Sequence, residues 1–184
     1  ERLVGNYPLF HSAGFATTNL MIWQAWEHLM VPRPEPKINI ELIKKHKPTF
    51  VPGVPTIFVG LLADPEFRSL DLSSVKGFFS GAAPLAEDTI RDLKELSGST
   101  MCEVYGSTET APFATVTPWG GKIKAGTVGI PIPDTDVKIV DVEDPDKELD
   151  LGQEGEIAIK GPQIMMGYYK KPEETANVLK NEWY

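Results

Sequence analysis

Apolar and polar positions divide the chain into two stretches of different rhythm. Up to about Thr117, strand-like and helix-like runs alternate. Leu3–Tyr7 reads as a strand, and Ser12–Met30 as a helix apolar nearly all round, which predicts a buried helix with Trp23 and Trp26 in the core. Ile38–His46 carries apolar residues at helical spacing, and Lys47-Pro48 ends it, because a residue before proline is driven out of the helical region. Thr49–Val51 predicts a short strand, Thr56–Ala63 a helix entered through Pro55, and Val75–Phe79 another strand. Glu87–Leu96 predicts a helix with acids in its first turn, where they complement the macrodipole, and Gly98 lies just past its end. Met101–Tyr105 is again strand-like. Such alternation predicts an α/β fold in which helices cover both faces of a mostly parallel sheet.

Beyond Thr117 the rhythm changes. Val137–Val140 and Glu154–Lys160 alternate as half-buried strands do, separated by Asp, Gly and Pro turns, and only Glu173–Leu179 is helical in pattern, with Pro172 at its start. The shift predicts an α/β part over residues 1–117 and the start of a β-rich part over 118–184. The acidic run Asp141–Gly152 reads as a solvated turn.

Composition narrows the function. With 41% hydrophobic and 24% charged residues, the 184-residue chain can bury a core. A formal charge of −8 argues against a nucleic-acid partner, which clustered Lys and Arg would serve, but leaves room for one small phosphate ligand. The single cysteine, Cys102, sits in a buried-strand pattern and cannot form an internal disulfide, so a reducing cytoplasmic location is expected. The uncharged stretch Ser12–Trp26 is shorter than the roughly 20 apolar residues that span a bilayer. A transmembrane role is therefore not expected, and peripheral membrane association stays open.

Two loops leave strands at the edge where ligands of open α/β sheets bind. Ser80-Gly81-Ala82-Ala83-Pro84-Leu85 has small residues that let a flat ligand lie on the backbone, whose N–H and C=O groups can read a base edge. Tyr105-Gly106-Ser107-Thr108-Glu109-Thr110 combines a glycine for close approach, hydroxyls able to donate to phosphate oxygens, and a carboxylate suited to a divalent cation.

At these residues the chain resembles the adenylate-forming superfamily of acyl-CoA synthetases, luciferases and adenylation domains. Four segments match in family order. They are Pro8-Leu9-Phe10-His11-Ser12-Ala13-Gly14-Phe15, Ser80–Leu85, Tyr105–Glu109, and the stretch from Gly155-Glu156-Ile157 through Gly161-Pro162-Gln163 to Gly167-Tyr168-Tyr169, Pro172 and Glu173. Val54-Pro55-Thr56 and Gly126–Pro131 match more loosely.

The resemblance implies that ATP and a carboxylic acid form an acyl adenylate, whose acyl group coenzyme A then takes. Thr108 would bind phosphate, Glu109 would ligate Mg²⁺, and Tyr105 with the backbone of Gly81, Ala82 and Ala83 would line the adenine pocket. Gly106 and Ser107 belong to the same nucleotide loop. His11 would lie beside the acyl carbonyl, and Phe15, Phe78 and Gly81 would border the acyl site. The resemblance also implies a phosphate-gripping loop before residue 1, a ribose-binding Asp directly after Tyr184, and a small carboxy-terminal domain with a catalytic Lys. The chain is thus expected to be the central part of a larger enzyme: a flavodoxin-like subdomain leading into a β-barrel-like one, inactive alone and open to self-association at its strand edges. Gly-Pro-Gln-Ile-Met-Met-Gly-Tyr-Tyr at 161–169 favours a medium- or long-chain fatty acid. An aryl-CoA or amino-acid-activating relative, or a non-catalytic nucleotide-binding module, are the alternatives.

Overall fold

The computed structural model describes residues 1–184. Strand β1 (Arg2–Gly5) leads through helix α1 (Ser12–Gln24) to β2 (Glu27–Met30), α2 (Pro36–His46) and β3 (Phe50–Gly53). Helices α3 (Pro55–Ala63) and α4 (Pro65–Arg68) follow, then β4 (Gly77–Ser80), α5 (Glu87–Ser97) and β5 (Thr100–Tyr105). Prolines open α2, α3 and α4, where their missing N–H costs nothing, and Gly98 closes α5 with a left-handed φ of 68°.

The five strands pair in parallel in the order β2-β1-β3-β4-β5, so the chain reverses its winding between β1 and β3. This is the flavodoxin-like order, with its ligand crevice at that reversal. Strands β6 (Thr115–Val116) and β7 (Ile130–Pro131) extend the sheet in antiparallel fashion to seven strands. Residue 117, near which a division was expected, lies between these two strands, and the sheet continues across it. A separate antiparallel pair, β8 (Asp136–Val140) and β9 (Glu156–Lys160), and helix α6 (Pro172–Val178) complete the fold.

Alternating side chains along each strand feed two layers. Val4, Val51, Phe78 and Met101 join Ile43, Phe58, Leu61 and Leu93 of the helices in one core of 17 residues. On the opposite face, Leu3 and Phe50 pack with Met21 of α1. An aromatic run continues that layer: Trp26 stacks on Phe50 at 5.4 Å, and Trp119 stacks on Phe79 at 6.0 Å. Trp26 is therefore packed as the sequence suggested.

Two expectations are corrected. Ser12–Met30 is not one helix: Ala25 takes a left-handed C-cap at φ 52°, and Glu27–Met30 becomes the edge strand paired with β1. Helix α1 is also not buried all round. It buries only Gly14 and Met21, while Trp23 is 82% exposed and Ile22 and Phe15 lie open as well. One layer of sheet covers one side of the helix, and nothing within residues 1–184 covers the other.

Candidate active site

The carboxyl ends of β1, β3, β4 and β5 share one edge of the sheet, and each releases a loop that the sequence singled out. Behind the β1 exit, the buried Asn6 amide donates to Asn39 Oδ1 at 2.7 Å and to the Pro52 carbonyl at 2.8 Å, and Asn39 donates back at 3.0 Å. This closed amide network ties β1, β3 and α2 together and fixes where the Tyr7–Ser12 segment departs, because a buried amide left unpaired is costly. Tyr7 donates its hydroxyl to the Gly53 carbonyl at 3.3 Å, and burial pushes its phenol up to about 12.

His11 is the N-cap of α1, its Nδ1 accepting from the Ala13 N–H at 3.1 Å. In the neutral ring the proton then resides on Nε2, so the remaining nitrogen is a donor. The next residue reaches across the edge: Ser12 Oγ stands 3.4 Å from Thr108 Oγ1, a contact between residues 96 apart in sequence.

The loop after β4 lies directly on β5. A Cβ at Gly81 would come within 2.7 Å of Val104 Cγ2 and 3.2 Å of its carbonyl oxygen, so only glycine permits this approach. Ala82 takes a left-handed φ of 70°, an uncommon conformation for a residue with a side chain, and Ala82 and Ala83 are exposed. In the loop after β5, Ser107 donates its N–H to Thr110 Oγ1 at 2.8 Å, and that hydroxyl donates to the Ser107 carbonyl at 3.0 Å. Buried Thr110 thus closes the turn internally, while Tyr105, Gly106 and Thr108 stay exposed. The single turn Thr108–Thr110 holds Glu109, whose carboxylate accepts from the Tyr168 hydroxyl at 2.8 Å. Its own backbone N–H, and after it the Tyr168 phenol, hold the Glu109 carboxyl below the usual carboxylate range. The same hydrogen bond pushes the Tyr168 phenol up to about 12. Glu109 is therefore an anion at neutral pH.

An apolar cavity of about 300 Å³ opens between α1 and the sheet, lined by Tyr7, Thr17, Leu20, Phe79 and Val104 among others. Phe78, expected to border the acyl site, does not reach it. It is 1% exposed and meets Phe58 edge to face at 5.9 Å in the core on the other side of the sheet. The pleat turns Phe79 to the cavity instead. Phe15 is largely exposed on α1 and is not among the residues lining the cavity. A second, open cavity of about 580 Å³ lies beyond Tyr105, lined by Lys138, Glu156, Trp183 and Tyr184.

The edge thus gathers His11, Ser12, Thr108 and Glu109, with the Gly81–Ala83 backbone in the loop after β4 beside them. Ser12 and Tyr168 lie in the matched segments, but the sequence implies no role for either. Tyr168 carried a signal, its place in Gly167-Tyr168-Tyr169, but its contact lies 59 residues away in the chain. No group of three or more His, Cys, Asp or Glu side chains is placed to hold a metal ion. A cation resting on one carboxylate and substrate phosphates, the usual habit of Mg²⁺, needs no such group, and anionic Glu109 suits it.

A family model described as AMP-binding enzyme matches residues 1–169. The chain is 40% identical over 184 residues to a long-chain-fatty-acid–CoA ligase of Bacillus subtilis, covering 100% of this chain and 33% of the relative. It is 35% identical over 187 residues to a probable 4-coumarate–CoA ligase of Dictyostelium discoideum, covering 100% of this chain and 34% of that protein. Among solved structures, ATP-bound MatB from Rhodopseudomonas palustris superposes with a TM-score of 0.92 at 30% identity, over 100% of this chain and 36% of that one. A long-chain-fatty-acid-CoA ligase from Archaeoglobus fulgidus gives 0.87 at 30% identity, over 100% and 40%. The chain spans about a third of the length of the curated relatives it matches.

Proposed function

This chain belongs to the AMP-binding enzyme family, the adenylate-forming enzymes, and we propose that it is the central part of an ATP-dependent fatty-acid–CoA ligase. The reaction runs in two displacements. A fatty-acid carboxylate attacks the α-phosphorus of ATP and expels pyrophosphate, and the thiol of coenzyme A then attacks the acyl carbonyl and expels AMP. Little covalent help is needed from the protein; positioning and charge neutralisation carry the first step.

Each residue has a task in that reading. The exposed Thr108 hydroxyl donates to a phosphate oxygen, with Gly106 and Ser107 shaping the loop beneath it. Tyr105 and the backbone of Gly81, Ala82 and Ala83 hold the adenine. His11 donates from Nε2 to the acyl oxygen, a direction its N-cap contact favours. The alkyl chain enters the apolar cavity beside Phe79 and Thr17, with Phe15 at the outer surface of the same helix. Glu109 is the residue that would hold Mg²⁺, which when bound neutralises phosphate charge. One carboxylate oxygen accepts from the Tyr168 hydroxyl, and the other is the one assigned to that purpose. The observation that carries the reading is the meeting of distant motifs at one sheet edge: Ser12 with Thr108, and Tyr168 with Glu109.

A fatty acid is favoured over an aryl acid by the apolar lining of the cavity and by the Bacillus relative. The Dictyostelium relative keeps aryl acids as the second reading. No helix is long and apolar enough to cross a membrane. The site would work in the cytoplasm, on small-molecule substrates. Pyrophosphate exchange with ATP, run on the full-length protein with a panel of fatty and aryl acids, tests the proposal. Exchange should depend on a medium- or long-chain fatty acid and fall roughly a hundredfold in Glu109→Gln, which removes one charge-stabilising contact. Exchange with aryl acids alone would move the assignment to the second reading. The 184-residue chain by itself should show none.

A further inference from the structure

Glu109 is gripped by a segment more than fifty residues downstream, and the grip is built in layers. Its carbonyl accepts from the Met165 N–H at 2.9 Å, while its carboxylate accepts from the Tyr168 hydroxyl at 2.8 Å. Tyr168 is held in turn by the start of α6: its N–H donates to Thr175 Oγ1 at 2.9 Å, and that hydroxyl donates to the Lys171 carbonyl at 2.8 Å. Gly167 makes this approach feasible. It has φ of 140°, and a Cβ there would come within 2.7 Å of Thr175 Cγ2. The neighbouring Tyr169 shares none of this and stands 86% exposed.

We infer that Tyr168 is a positioning residue for the Glu109 carboxylate, fixing one oxygen so that the other is presented to a divalent cation bound with ATP. The inference rests on the reading of Glu109 as the cation-holding carboxylate. Left to its own backbone N–H and the Ser107 and Tyr184 side chains, a half-buried glutamate on a single turn would sample more than one rotamer, and only part of the time would an oxygen face the phosphates. The phenol is suited to the task because it is a neutral donor. Lys or Arg in its place would also orient the carboxylate but would cancel the charge that a cation needs. The second contact, from Met165 to the Glu109 carbonyl, holds the backbone so that the phenol has only the side chain to fix.

Mn²⁺ binding to the full-length protein, followed by electron paramagnetic resonance with a non-hydrolysable ATP analogue, tests the inference without turnover. Tyr168→Phe keeps the ring and removes only the hydroxyl. It should weaken Mn²⁺ binding roughly tenfold, as the loss of one oriented charged hydrogen bond does. Binding of the analogue in the presence of chelator should stay within twofold. Glu109→Gln should weaken Mn²⁺ binding at least as much, and adding Tyr168→Phe to it should cost less than a further twofold, because the phenol acts only through the carboxylate. Equal losses with and without metal, no loss in Tyr168→Phe, or additive losses in the double variant would each overturn the inference while Glu109 kept its role. No effect of Glu109→Gln would overturn the reading of Glu109 and the inference together.

Discussion

Phe78 and Phe79 are consecutive, yet one faces the core and the other the apolar cavity. Phe78→Ala removes a fully buried ring packed against Phe58 and should cost about 3–5 kcal/mol, seen as a lower urea midpoint. Phe79→Ala opens the apolar cavity and should cost less, while shifting the preferred fatty acid toward longer or bulkier chains. Identical midpoints for the two variants would contradict the assignment of faces. Sequence alone could not tell the two apart, since two adjacent phenylalanines in a strand covered on both faces have no alternation to show its sides. Thr108, Glu109 and Gly81 stood out as candidates because the chemistry proposed for them is local: hydroxyls and an acid in one loop, a glycine among small residues in the other. Tyr168 did not, because its contact with Glu109 arises only when residues 59 apart meet. Cys102 was legible as a plain core residue, and burial pushes its thiol from 9.0 up to about 11. The stability gained by keeping it neutral is complete below its ordinary value and is lost as pH rises through the raised one. At pH 8 the folded protein should resist a thiol reagent and react fully on unfolding in urea. Rapid labelling of the native protein would show that Cys102 is not enclosed.

Helix α1 shows how far an element can be read from its pattern. Apolar residues on nearly every side, with no charged face, give a helix but no one side to bury, so a fully buried helix was expected and a half-exposed one is found. The following Glu27–Met30 strand was hidden because Ala25 breaks the helix without a glycine or proline to mark the place. The cap at the other end joins structure to chemistry. His11 supplies its Nδ1 to the Ala13 N–H, and Nε2 is the nitrogen proposed to face the acyl group. His11→Ala should lose both tasks, at a cost of about 0.5–2 kcal/mol in stability together with slower acyl transfer to coenzyme A. His11→Asn restores a capping oxygen without the ring, so it should recover the thermal midpoint and leave transfer slow. Recovery of both by Asn would reduce His11 to a cap. Strands β3, β4 and β5, helices α3 and α5, and β8–β9 were all legible, with ends displaced by at most two residues, whereas the four-residue α4 was not. Strands β6 and β7 were not, since two residues each are too few to carry a period.

At the scale of the molecule, burial is distributed unevenly. Only Val140 and Ile159 among the buried hydrophobic residues lie beyond residue 117, and neither belongs to the 17-residue core or its smaller companion. Trp119 stacked on Phe79 and the pairing of β7 with β6 hold the start of the second half to the first, and farther along the contacts are polar: Met165 to the Glu109 carbonyl, Tyr168 to its carboxylate, and Gln163 to the Phe113 carbonyl at 3.4 Å. The strands expected to lack neighbours have short ones. Tyr184 exchanges two backbone hydrogen bonds with Ile159 on the outer edge of β9, and Glu148 forms a single bridge to Val140 on β8. Such short pairings leave much of each edge open, and open edges favour pairing with another chain. Phe15, Ile22 and Trp23 of α1 add an exposed apolar surface on the first half. The isolated 184-residue chain is therefore expected to associate in a concentration-dependent way. Amides of residues 120–184 should exchange well before those of β3, β4 and β5, because local opening there breaks few apolar contacts. Light scattering coupled to size-exclusion chromatography and native-state hydrogen exchange give the two readouts. A strictly monomeric chain whose β8–β9 amides were protected as strongly as Val51, Phe78 and Met101 would refute this, and would mean that the polar contacts at Glu109 couple the halves into one cooperative unit.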